Sequence, residues 1–115
     1  MKRVGSIALT VLVSGLWWVL LWVSAPAVAA DLKQGAQVFE VHCVGCHVNG
    51  GNIVRRGKNL KLKTLQRNGY DSIETISQLV ANGKGLMSAY GDRLSDTEIE
   101  SVAAYVLDRA EQGWK

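Results

Sequence analysis

Cys43-Val44-Gly45-Cys46-His47 is the stretch on which the fold of this chain turns. Two thiols three positions apart lie along one helical turn, and a histidine follows the second. This spacing attaches a c-type haem: the thiols add to the two vinyl groups of the porphyrin, and the adjacent imidazole is carried under the iron. Cysteine and histidine are rare enough that chance would give the five-residue pattern on the order of once in several thousand such chains. Three blander readings explain less. A Cys43–Cys46 disulfide would leave His47 idle and close a very short loop. A zinc site lacks further cysteines, and His42 is the only other histidine. A thioredoxin-like pair would need a strand before the motif and alternating strands and helices after it, and no stretch alternates as a strand. Cys43 and Cys46 are therefore the candidate thioether residues, and His47 the candidate ligand on one face of the iron.

An iron that shuttles electrons without binding oxygen or peroxide needs a second axial ligand, usually methionine or histidine. Apart from the initiator, Met87 is the sole methionine. It follows Asn82-Gly83-Lys84-Gly85-Leu86, a glycine-rich turn that can approach a flat cofactor closely. A lone methionine more often fills a core, but the turn and the need for a soft donor favour coordination. His42 sits beside the motif and cannot easily reach round. The other ring nitrogen of His47 needs a partner, typically a carbonyl, and residues 49–56 are the natural supplier. Arg93 and Lys58 are candidates for pairing with the haem propionates.

The 115-residue chain opens on Lys2-Arg3, an apolar run from Val4 to Val23, and Ala27-Val28-Ala29, small residues at the positions a signal peptidase reads. Residues 1–29 are expected to be a cleaved secretory signal, and residues 30–115 one exported domain. A retained anchor is the competing reading, since the run nearly reaches the roughly twenty residues that cross a bilayer. Gly5, Ser6, Thr10, Ser14 and Gly15 dilute it, and stable membrane insertion after cleavage is not expected. A domain this small often leans on a metal or cofactor.

Without Lys2 and Arg3, eleven basic residues face ten acids, so the chain's pI of about 9.0 overstates how basic the domain is. The charge is nevertheless segregated. Arg55, Arg56, Lys58, Lys61, Lys63 and Arg67 cluster with no acid between them, and acids dominate from Asp71 onward. The cluster could steer an acidic protein partner or could be a solvated face. Nucleic acid is not expected as a partner of an exported domain without interleaved aromatics.

Helical periodicity carries the rest. Ile99, Val102, Ala103, Val106, Leu107 and Ala110 form one apolar stripe. Ser95-Asp96-Thr97-Glu98 reads as a capping box that starts this helix at Asp96. Asp71-Ser72-Ile73-Glu74 repeats the start signal for a helix with Ile73, Ile76 and Val80 inward and a left-handed stop at Asn82-Gly83. A helix from Leu32 to His42 places Gly35 and Phe39 on one face, where a glycine lets another helix approach. A short helix between Leu60 and Asn68 ends at Gly69.

Residues 31–114 resemble cytochrome c6, the lumenal carrier of oxygenic phototrophs. The resemblance rests on Ala30-Asp31-Leu32, Gly35 to Phe39, the Cys43–His47 motif, Asn82-Gly83-Lys84-Gly85, Arg93-Leu94-Ser95-Asp96, Tyr105-Val106-Leu107-Asp108 and Gly113-Trp114. It implies an all-α class I cytochrome c fold, with about four helices around one covalently bound haem c. It also implies His47 and Met87 as axial ligands, and first and last helices crossing through Gly35, Phe39 and Tyr105. The function implied is that of a soluble, monomeric electron carrier, not an enzyme, between the cytochrome b6f complex and photosystem I in the thylakoid lumen.

Three departures bear on that route. Ser88 stands where a proline usually follows the ligand methionine, and Arg55-Arg56-Gly57 occupies a loop that is normally less basic. Leu79 falls where the photosynthetic carrier commonly has glutamine, which predicts a lowered midpoint potential. A cytochrome c6-like paralogue, exported to the lumen or the periplasm and donating to a terminal oxidase or another exported partner, is the alternative within the class. A haem ligand sensor or peroxidase is the rival outside it, disfavoured because no histidine near Met87 offers acid–base chemistry.

Overall fold

The computed structural model describes residues 28–115, with side chains from Asp31 onward. The segment expected to be the secretory signal, residues 1–29, lies almost wholly outside the described residues. Four α-helices follow in order: α1 (Val28–His42), α2 (Leu62–Asn68), α3 (Ile73–Asn82) and α4 (Asp96–Glu111). Two 3-10 turns, Val48–Gly50 and Arg56–Lys58, fill the connection between α1 and α2. Among the described residues no helix is long and apolar enough to cross a membrane, and the only β pairing is an isolated bridge between Lys84 and Met87.

The expected helices form, with corrections at their ends. α4 starts at Asp96 behind a full capping box: Ser95 Oγ accepts from the Glu98 amide, and the Glu98 carboxylate accepts from the Ser95 amide at 2.9 Å. α3 is capped by Ser72, whose hydroxyl accepts from the amide of Thr75 at 3.1 Å. With Ser72 as the cap, the residue three beyond it is Thr75, so no Glu74 carboxylate closes a box. Ile73, expected inward, is 39% exposed at a groove between α3 and the start of α4. Gly83 does take a positive φ of 68°, but its ψ of 174° is extended, so α3 does not end in a left-handed cap. Gly69 does, at φ 77° and ψ 24°. α1, expected from about Leu32, is already helical at Val28, the first described residue.

The core lies where α1 crosses α4. Val38 and Phe39 meet Ile99, Val102, Ala103, Val106 and Ala110, joined by Leu65 from α2 and Ile76 and Val80 from α3. Leu107, the remaining member of the α4 stripe, is half-buried at its edge. The crossing depends on Gly35, which is buried. A Cβ there would run into the carbonyl of Ser101 and come within 2.7 Å of the Tyr105 Cβ, so α1 can touch α4 only through a residue without one. Ser101 is itself buried and donates to Gln34 Oε1 at 2.9 Å. Phe39 stacks at 5.4 Å from both Tyr105 and Trp114, which joins the first helix to the end of the chain.

Candidate haem site

The motif begins as α1 ends. The amides of Cys43 and Val44 both donate to the carbonyl of Phe39, and those of Cys46 and His47 both turn back to the carbonyl of Cys43. This tight turn exposes Cys46 and leaves Cys43 half-buried against the core. Burial pushes the Cys43 thiol up to about 11, so at neutral pH it is an uncharged thiol.

His47 Nδ1–H donates to the carbonyl of Gly51 at 2.8 Å. A carbonyl only accepts, so the proton is on Nδ1 and the lone pair of Nε2 is left for a metal. The carbonyl comes from the 49–56 segment, as the sequence led one to expect. What delivers it is a sharp turn: Asn49 and Gly50 take φ of 51° and 74°, and the Gly51 amide closes on the carbonyl of Val48 at 2.8 Å.

Met87 arrives from the other side of the sequence. Beyond α3, Lys84 and Met87 exchange two backbone hydrogen bonds of 3.0 Å each. Gly83 sits so close to this turn that a Cβ would come within 2.6 Å of the Met87 carbonyl and 2.7 Å of the Ala89 amide. The result holds Met87 half-buried, packed against the same core that carries Cys43, Val44, Leu60, Leu62 and Tyr70. The four candidate residues thus lie on two segments that one core gathers together.

Two soft thiols on one turn, an imidazole with Nε2 left unengaged, a thioether and an apolar lining fit the demands of a covalently held haem. Arg93, expected at a propionate, has its guanidinium over the ring of Tyr90, 4.5 Å from the centroid. Lys58 is exposed.

Comparison with known proteins decides the family. Residues 30–106 match the family model described as cytochrome C oxidase, cbb3-type, subunit III. A cytochrome c6-like protein of Nostoc sp. strain PCC 7120 is 60% identical over 90 residues, 78% of this chain and 81% of that one. Cytochrome c6 of Synechococcus sp. strain PCC 6312 is 46% identical over 92% of this chain and 95% of its own length. The chain belongs to the cytochrome c6 family. Among solved structures, the crystal structure of cytochrome c6C from Synechococcus sp. PCC 7002 superposes with a TM-score of 0.67 at 62% identity, covering 69% of this chain and 96% of that one.

The expected class I cytochrome c fold is thereby met, and so is the expected cofactor, one covalently bound haem c. This cytochrome c6 relative is an electron carrier and not an enzyme, and the ligand-sensor and peroxidase readings are not favoured. Members of the family are lumenal or periplasmic proteins that donate electrons to redox complexes.

Sequence reasoning missed the residues that shape the site from outside. Asn52 Oδ1 accepts from the amides of Val54 at 2.9 Å and Arg55 at 2.7 Å, while its Nδ2 donates to the carbonyl of Lys58 at 3.1 Å. Asn59 repeats the device, donating to the Arg56 carbonyl at 2.9 Å and accepting from the Lys61 amide at 3.1 Å. The run Asn52-x-x-Arg55 and Asn59-x-Lys61 was the available signal, since asparagine folds back onto nearby backbone in turns.

Proposed function

We propose that Cys43 and Cys46 hold the haem through two thioether bonds, that His47 Nε2 and Met87 Sδ bind its iron from opposite faces, and that the holoprotein carries single electrons from the cytochrome b6f complex to photosystem I. The observation that carries this reading is the hydrogen bond from His47 Nδ1–H to Gly51, which presents Nε2 to the metal in one tautomer and one ring orientation. The haem supplies the ferric–ferrous couple; the chain's residues fix its surroundings. Met87, a soft thioether, favours the ferrous state, and filling both axial positions leaves no ligand to bind or release during transfer.

On this reading residues 1–29 are a signal removed on export, the mature chain is a monomer of the thylakoid lumen, and Arg55, Arg56, Lys58, Lys61 and Lys63 face acidic surfaces of its partners. All five are exposed, and the two asparagine turns hold the loop that bears the first three. The test is a redox titration of the purified ferric protein, followed by rapid mixing of the ferrous form with photosystem I and, separately, with terminal oxidase. A methionine-to-iron charge-transfer band and fast oxidation by photosystem I support the proposal. Faster transfer to the oxidase would reassign the acceptor, and ready carbon monoxide binding at neutral pH would overturn the ligand set.

A further inference from the structure

The carbonyl of His42 lies at the C-terminal end of α1, where helix carbonyls lose their intrahelical partners. The amides just beyond it are committed elsewhere, to Phe39 and Cys43. Its donor comes from 48 residues away: Tyr90 Oη–H, at 3.1 Å. The phenol ring is held on two sides, by the Arg93 guanidinium over its face and by the His42 ring, edge-on at 5.7 Å between centroids. Its backbone is fixed too, because the Tyr90 and Gly91 amides donate to the carbonyls of Val80 at 2.9 Å and Ala81 at 3.0 Å.

Tyr90 follows Met87 by three residues. We infer that Tyr90 is a positioning residue for Met87: its hydroxyl ties the segment leaving Met87 to the helix end that leads into Cys43–His47, so the two axial donors are joined by a link that does not run through the iron. The inference rests on the proposed ligation by Met87. The backbone bonds to α3 locate Met87 relative to α3 alone. Among the described residues only the Tyr90 hydroxyl relates this segment to the end of α1 by a hydrogen bond. Its loss lets the Met87 segment move away from the haem-bearing turn, and an exogenous ligand that must wait for Met87 to leave the iron then enters sooner.

The test compares ferric holoproteins of the wild type, Tyr90→Phe, Met87→Ala and Ser101→Ala at one pH and ionic strength. The readouts are the methionine-to-iron charge-transfer band, the rate of imidazole binding and the thermal midpoint. Phenylalanine keeps the ring between Arg93 and His42 and removes only the donor. Tyr90→Phe is expected to retain the band and bind imidazole roughly two- to fivefold faster, the scale of one neutral, partly exposed hydrogen bond. Ser101→Ala removes the bond to Gln34 at the α1–α4 crossing; it should lower the thermal midpoint and leave the imidazole rate unchanged. A wild-type rate in Tyr90→Phe overturns the inference, as does an equal acceleration in Ser101→Ala, which would make the effect one of general stability. A band that is missing from the wild type, or that survives Met87→Ala, overturns the ligand assignment and the tie with it. Should Tyr90→Phe fail to accumulate, Arg93→Gln releases one face of the ring and keeps the hydroxyl; a faster rate supports the tie, and an unchanged rate overturns it.

Discussion

The indole of Trp114 donates from Nε1 to the carbonyl of Leu60 across 2.9 Å, and its ring lies against Gly50. Leu60 in turn donates its amide to the carbonyl of Gly50 at 2.7 Å. The end of the chain is thereby interlocked with the loop that supplies the His47 partner. Trp114→Phe should lose about 1–2 kcal/mol, one half-buried hydrogen bond and part of an aromatic contact. Gly50→Ala should cost more, about 2–4 kcal/mol, because φ is 74° and a Cβ would enter the indole. Guanidinium unfolding of both variants, followed by haem absorbance, checks the order.

At the α1–α4 crossing, Gly35→Ala should destabilise by about 2–3 kcal/mol, since the added methyl would run into the backbone of Ser101. The absorption spectrum of the folded fraction should stay that of the wild type. A melting temperature within a degree of the wild type would show that the helices separate to admit the methyl group at little cost.

Much of this architecture was legible because it is local. Ser95 and Glu98 lie three residues apart, and the reciprocal bonds they make need no information beyond that spacing. Gly69 was read as a stop because a glycine after a short helix readily adopts the left-handed conformation it shows. Ser72 and Ile73 mark where local reading failed. Asp71 and Ser72 are both good caps, and only the geometry selects Ser72; that choice shifts the helix so that Ile73 occupies the first turn beside an open groove. The motif at 43–47 announced the chemistry, but the link between Tyr90 and His42 and that between Trp114 and Leu60 join residues far apart in the chain. No periodicity encodes such pairs, since they arise only after the core has set the helices in place.

Cys46→Ser should leave the haem attached through Cys43 alone. Acid–acetone extraction is expected to retain the haem in this single variant, and to release it from Cys43→Ser combined with Cys46→Ser. Retention in the double variant would overturn the thioether assignment.

Leu79→Gln places a polar amide on the half-buried face of α3. The midpoint potential should rise by tens of millivolts, given that a tenfold change in a one-electron equilibrium corresponds to about 59 mV. Equilibrium redox titration of the pair decides it, and an unchanged potential would remove Leu79 as the cause of a lowered value.

Reversing Arg55 and Arg56 to glutamate should slow transfer to an acidic partner at low salt by roughly tenfold or more and flatten its ionic-strength dependence, since steering by surface charge is screened within about a Debye length. Asn52→Ala keeps every charge but frees the turn that orients them. Its expected effect is a smaller loss of rate with the salt slope preserved. Stopped-flow measurements across ionic strength separate the two.

The turn at residues 43–47 is built almost entirely from its own neighbours, with Cys46 open to solvent, whereas Met87 is brought in by α3 and by a tyrosine that reaches the end of α1. On the proposed ligation, one half of the iron's coordination is therefore written into a short contiguous peptide and can exist before the rest of the chain has order. The other half is a report on completed tertiary structure. Maturation would proceed in that sequence, with attachment first and methionine capture last, and gentle denaturation would run it backwards, releasing Met87 while the porphyrin and His47 stay joined.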